Sequence, residues 1–257
     1  MKKMFIFILL IFTVISLTAQ ITRVDPGVYA WKGLKVEQRE NRERRQILEG
    51  STRDLEYFEV HASTISSGKM PHSGHTHDSV EEMIIIKEGK LKVTVANKSK
   101  ILGAGSIAVI MPGDKHEFCN AGDIPATYYI FKFKGREPIN SDRGKNEGGS
   151  FMIDYNKLEF NPHDKGGIRN YYHRATSMFD YTEMHVTTLN GNIQSHEPHT
   201  HRAAEAVLMI SGNAGMQIAG KFYKGTAGDL FYLESEVPHA IQNMGNEPCM
   251  YFAFQWE

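Results

Sequence analysis

The chain repeats itself. Tyr57, Glu59, His61, Thr64, His72, His75, Thr76 and His77 recur as Tyr181, Glu183, His185, Thr188, His196, His199, Thr200 and His201, every pair 124 residues apart. Further on, Gly89, Gly105, His116, Asn120, Gly122, Pro125, Tyr128 and Phe131 recur 123 residues later as Gly212, Gly228, His239, Asn243, Gly245, Pro248, Tyr251 and Phe254. So many registered identities define a tandem duplication. A repeat of this length is far too long for a solenoid unit, so each copy is a domain with its own core. The polar, glycine-rich stretch 135–150 has no periodicity and reads as the linker. This divides the chain into an N-terminal domain at 27–134 and a C-terminal domain at 151–257.

Both copies read as β. Residues 83–86, 90–95 and 107–110 are short β-branched runs divided by glycines, and 206–210, 215–218 and 230–233 repeat the pattern. Strands at such spacing, with Gly, Asn and Pro between them, predict an all-β sandwich or barrel. The apolar repeats 128–131 and 251–254 are expected to be core strands without chemistry. Only 36–47 has helix-forming composition, and its charge predicts a solvated loop or helical face over 37–45.

Histidine carries the chemistry. His75 and His77 are followed by Glu82 and later His116; His199 and His201 are followed by Glu205 and later His239. Histidines at i and i+2 are expected to project from one face of a strand, where a Glu and a His from later strands can converge on them. Three imidazoles and one carboxylate suit a divalent ion such as Mn, Zn, Fe or Ni, one in each half. In the first copy Glu81 competes with Glu82, because the 124-residue offset pairs Glu81 with Glu205. The constant spacing to Gly89 and Gly212 selects Glu82.

These residues resemble the two motifs of the cupin superfamily, G-x5-HxH-x3,4-E-x6-G and G-x5-PxG-x2-H-x3-N, in both copies. Gly68 and Gly191 stand one and two residues too far from their histidines, Met111 and Glu234 replace the motif proline, and Glu236 replaces its glycine in the second copy. The resemblance implies a bicupin over about 50–257, built from two tandem β jelly-roll barrels, with the eight residues above as metal ligands. Candidate catalytic groups are His72 and His196, as proton carriers at the barrel mouths. Arg45 and Arg169 are candidate clamps for a substrate carboxylate. His61 and His185 are expected to be structural.

Several functions remain open at this level. The resemblance extends to enzymes acting on small polar, carboxylated or sugar-acid substrates, such as ring opening or isomerisation of unsaturated uronates. It extends equally to redox enzymes of the oxalate decarboxylase or quercetin dioxygenase kind, and to non-catalytic sugar binders. A balance of 29 Lys+Arg against 30 Asp+Glu gives no basic footprint, which argues against a nucleic-acid partner. The expected partner is a small-molecule substrate, and the expected assembly a monomer or homodimer. Lys2 and Lys3 precede an uncharged apolar run over 4–18, and Ala19 marks a cleavage point. Residues 1–19 therefore read as a signal peptide, which predicts a periplasmic or secreted protein without stable membrane insertion once it is removed. There Cys119 and Cys249 could pair or stay buried.

Overall fold

The structure, a computed structural model, describes residues 22–257; the expected signal peptide lies outside them. Two seven-stranded antiparallel sheets dominate. In the first the strand order is Phe151–Ile153, Ile107–Ile110, Glu81–Glu88, Ala126–Gly135, Leu55–Ile65, Arg42–Gly50, Glu37–Arg39. In the second it is Gly27–Tyr29, Leu230–Leu233, Ala204–Ser211, Cys249–Trp256, Thr182–Leu189, Gly166–Arg174, Asn161–His163. Each is completed by a three-stranded sheet: Lys98–Gly103, Lys90–Val95 and His116–Asn120 in one half, Lys221–Thr226, Asn213–Ile218 and His239–Asn243 in the other. This is the expected pair of tandem β barrels.

The cores explain why the central strands are continuously apolar. On Glu81–Glu88, Ile84 and Ile86 enter the interior of the first barrel with Val93, Phe118 and Tyr128. Met83 and Ile85 point the other way, into a core shared by both halves with Phe58, Phe133, Tyr232, Phe254 and Trp256. A third core fills the second barrel around Val207, Met216 and Phe231. A strand buried on both faces has no solvent side and loses the polar alternation of a half-exposed one.

The sequence division needs two adjustments. Gly27–Tyr29, assigned to the first domain, pairs with Leu230–Leu233 of the second sheet. Phe151–Ile153, assigned to the second domain, pairs with Ile107–Ile110 of the first. The halves therefore exchange arms. Behind each exchanged strand an aromatic ring is seated on a glycine of the other half, Trp31 on Gly228 and Tyr155 on Gly105. The Trp31 N–H donates to Asp229 Oδ1 at 2.7 Å, and the Tyr155 N–H to Ser106 Oγ at 3.1 Å. Within the linker, Ser141–Asn146 forms a short helix capped by Asn140, with Gly144 packed on Ser177 and Met111.

The charged stretch 37–45 is neither loop nor helix: Glu37–Arg39 and Arg42–Gly50 form a hairpin on the edge of the first sheet. Composition misleads here because the pleat, not the propensity, sorts these side chains, sending Arg42 and Arg44 to one face and Glu43 and Arg45 to the other. Cys119 and Cys249 are free thiols in different halves. Among the described residues no helix is long and apolar enough to cross a membrane.

Gly228 has φ +95°, and a Cβ there would lie 2.8 Å from Trp31 Cγ. Gly228→Ala should cost about 1–3 kcal/mol through backbone strain and displacement of the arm. Chemical denaturation measures it, and an unchanged midpoint would contradict the seating of the arm.

Candidate metal centres

The HxH segments are not in strands. Each runs as extended chain tied to the later motif by one antiparallel bridge, His75 to His116 and His199 to His239. In the first, His75 N–H donates to His116 O at 3.1 Å and His116 N–H returns to His75 O at 2.9 Å. The second histidine of each pair is held through its carbonyl, His77 O accepting from Gly113 N–H and His201 O from Glu236 N–H, both at 2.9 Å. Both donors have positive φ, +90° at Gly113 and +62° at Glu236. The turn geometry is thus kept even where the motif glycine is replaced by a residue that adopts it at some cost.

The ligand atoms converge. His75, His77 and His116 bring ring nitrogens within 4.8 Å of one another, as do His199, His201 and His239. Glu82 reaches the first group, Oε2 lying 3.3 Å from His77 Nε2 and Oε1 3.6 Å from His116 Nε2. Glu205 Oε2 reaches the second, 3.1 Å from His201 Nε2 and 3.4 Å from His239 Nε2. Glu81 faces the other way, accepting from the Met178 N–H at 3.3 Å, and burial pushes its carboxyl up to about 7. The extra residue between His77 and Glu82 is absorbed in the loop.

Both groups fit a divalent cation. Nδ1 of His116, His201 and His239 lies 3.0, 2.8 and 2.8 Å from the carbonyls of Asp114, Ala203 and Val237. A carbonyl can only accept, so Nδ1 carries the proton and Nε2 presents a lone pair to the centre. His116 Nε2 and Glu82 Oε1 are buried without a hydrogen-bond partner. Buried acceptors aimed at one another without a donor are the arrangement a cation completes. Burial pushes the Glu205 carboxyl up, but the histidine contacts outweigh it and hold the group at about 2.

The structure separates the four catalytic candidates. His72 and His196 border the clusters, their rings edge-on to His75 and His199 at 4.4 and 4.3 Å. Arg45 and Arg169 do not reach them. Arg45 lies 5.6 Å over the Trp31 ring, and Arg169 lies 5.0 and 4.7 Å over Tyr155 and Phe160. One residue of pleat turns them away from the site, onto the exchanged arms. The arginines that line the first pocket are Arg39, Arg42 and Arg44, with Lys132.

His61 and His185, expected to be structural, line the two pockets. Tyr57, Glu59 and His61 alternate along Leu55–Ile65, and Glu59 gathers the group: it accepts from Tyr57 Oη at 2.8 Å, faces His61 Nδ1 at 2.9 Å and pairs with Arg44. The signal was in the sequence, since Tyr-x-Glu-x-His has strand period and recurs at 181–185, but period alone does not say which face is inside. In the second copy the Glu183–His185 contact is looser, at 3.5 Å.

Comparison with known proteins agrees with this architecture. The cupin domain family model matches residues 59–131 and again 185–254. The chain belongs to the cupin family, as a member with two cupin domains in tandem. No curated protein matches it. Among solved structures it resembles the Ylba protein of E. coli (TM-score 0.68, 15% identity, 90% of each chain covered). It also resembles AerE of Microcystis aeruginosa (0.67, 15%, 87% of this chain and 97% of that one). A third is the Bacillus subtilis oxalate decarboxylase, described with Mn(II) centres (0.69, 14%, 93% and 79%). At these identities the likeness is one of fold.

Burial pushes the Glu59 carboxyl up, yet His61 and Tyr57 outweigh it and leave the group at about 2. Its stabilising contribution is therefore complete above the ordinary carboxyl value and is lost as pH falls from there toward 2. Glu59→Gln should cost about 1–3 kcal/mol near neutrality and much less near pH 3. Urea denaturation at both pH values checks this; an equal cost at both would contradict it.

Proposed function

We propose that the protein is an exported, metal-dependent enzyme whose first centre takes a small carboxylated substrate, a sugar acid or short dicarboxylate. The observation that carries this reading is Arg42. It is half-buried on the wall of the first pocket, beside Arg39, Arg44 and Lys132, and has no ion-pair partner among the described residues. Arg44 is already paired with Glu59, and Lys132 lies 3.8 Å from Glu82, so Arg42 is the cation left to be completed by a ligand. A guanidinium is matched in shape and charge by a carboxylate.

A divalent ion held by His75, His77, Glu82 and His116 would supply Lewis acidity at a substrate oxygen. The remaining work falls to the chain. Arg42 binds and orients the carboxylate. His61, beside the Glu59 carboxylate on the pocket wall, is one proton-exchanging group, and His72 is a second proton carrier at the rim. Ring opening or isomerisation of a sugar acid needs only such polarisation and proton movement. A redox reaction on a dicarboxylate is the second reading, favoured by the three-histidine, one-glutamate donor set. Loss of turnover under anaerobic conditions would select the redox reading; turnover supported alike by Mn, Zn or Ni would select the first.

Export rests on residues 1–19, and the secreted protein should begin at Gln20, which N-terminal sequencing reads directly. Metal analysis should find two divalent ions per chain. Replacing His199 and His201 together by Ala should remove one of them, and retention of both would overturn the ligand assignment. Oxalate serves as the anionic probe: calorimetry on metal-loaded protein should show binding that Arg42→Gln weakens about 10- to 100-fold. Equal affinity in the variant would refute the role of Arg42.

A further inference from the structure

Between the two halves lies a cavity of about 290 Å³ that shares no lining residue with either metal pocket. Its walls come in pairs from equivalent positions of the duplication: Trp31 with Tyr155, Ile85 with Leu208, and Tyr129 with Phe252. Strand register bears this out, since Tyr129 lies opposite Ile85 and Phe252 opposite Leu208. Four of the six belong to the shared core, and the Trp31 and Tyr155 rings of the two arms pack against it. Lys87, Ala104 and Ala227 are exposed at the rim, so the cavity is where that core opens to solvent.

The two walls differ in polarity at two positions, and both times the polar group belongs to the first half. Tyr129 carries a hydroxyl where Phe252 has none, and Lys87 stands where the second half has Ile210. Lys87 and Ile210 are each the extra residue of a β-bulge. Pairing passes from Ile86 to Glu88 in one half and from Met209 to Ser211 in the other. A bulge re-aims its side chain, and both of these line the cavity. Lys87 Nζ lies 5.7 Å from the centre of the Trp31 ring, and the Tyr129 ring packs edge-on to the same indole at 5.7 Å. An ammonium and a phenol thus flank one indole. Among the described residues Lys87 has no ion-pair partner. Burial pushes the Tyr129 hydroxyl above its ordinary value, so it stays protonated and can donate. The neighbouring carboxylates are already engaged. Glu88 accepts from Thr127 Oγ1 at 2.8 Å, and Asp229 from the N–H groups of Trp31 and Thr226 at 2.7 and 2.8 Å.

We infer that this seam is a ligand site apart from both metal centres, for a flat aromatic molecule bearing a single carboxylate. The volume is at the small end of ligand sites and suits one or two fused rings. The rings bury apolar area against the indole, the phenyl of Phe252 and Leu208. The carboxylate accepts from Lys87 and Tyr129, a charge-assisted pairing that a neutral ring forgoes. A second carboxylate would be driven against the wall of Leu208, Ile210 and Phe252, which has no side-chain donor to receive it. The site needs no metal and holds independently of the reaction proposed for the first centre.

The test uses the full chain loaded with zinc, which is diamagnetic, and isotope-labelled at its indole nitrogens. The chain has 2 tryptophans, so NMR shows two indole signals, and Trp31→Phe assigns them. Trp256, buried in the shared core, is the internal reference. Naphthoate and naphthol share a ring system and differ in charge at neutral pH. Naphthoate is expected to shift the Trp31 signal saturably. Lys87→Ile and Tyr129→Phe each install the residue that the other half carries at the equivalent position, a change the fold already accommodates there. Lys87→Ile should weaken naphthoate about 3- to 10-fold and leave naphthol within about twofold. Tyr129→Phe should also weaken naphthoate. Carboxylates coordinate zinc as well, so the titration is repeated in excess oxalate, which competes for both metal centres; the Trp31 response should persist. Four results would each overturn the inference: no saturable shift at Trp31, naphthoate affinity unchanged in both variants, an equal loss for naphthol in Lys87→Ile, or a response abolished by oxalate.

Discussion

The rest of the structure depends on two large sheets that are each buried on both faces. One face of each lines its own barrel, and the other packs on the opposite sheet around Phe58, Phe133, Tyr232 and Trp256. Phe58 lies 5.3–5.5 Å from the other three rings, so aromatic contact knits the halves directly. With neither face of the central strands open to solvent, their buried polar groups, Glu59, His61, Glu82 and Glu205 among them, are gathered at the two pockets. There the HxH segments meet the later histidine strands and the two clusters form.

Within those limits the pleat decides what each residue does. Arg42 and Arg44 enter the first pocket while Arg45, one residue further along the strand, lies over Trp31. Glu82 meets the histidines while Glu81 meets the backbone of the other half. Adjacent residues of the same type thus serve a ligand centre and an interface respectively. The pairing of Arg45 with Trp31 and of Arg169 with Tyr155 recurs at the repeat offset, and it places a cation over each arm where the arm leaves its own half.

The duplication, the all-β architecture and the grouping of the histidines with Glu82 and Glu205 were legible in the sequence because they rest on spacing and order, which survive without coordinates. The setting of the HxH segments outside the strands was not: one bridge and the carbonyl of His77 or His201 hold each, and those are backbone contacts between distant residues. The 37–45 hairpin was hidden by composition, since glutamate and arginine favour helices in isolation and an edge strand tolerates them. The face of the Tyr-x-Glu-x-His strand was ambiguous until its neighbours fixed it. The exchange of arms lay beyond any local pattern, since Gly27–Tyr29 has nothing in its own sequence that points to Leu230–Leu233.

That exchange bears on the order in which the chain can assemble. The first barrel is closed at its edge by Phe151–Ile153, which follows it closely, so its sheet can be completed before the second half has folded. Gly27–Tyr29, by contrast, emerges early and must wait for Leu230–Leu233, about 200 residues later, before it has an edge to join. Loop closure over that span costs only slightly more than over a short one, since the entropy grows with the logarithm of length. The delay is therefore one of time rather than of stability. The earliest described strand is therefore among the later ones to find its place, since the Leu230–Leu233 edge must form first.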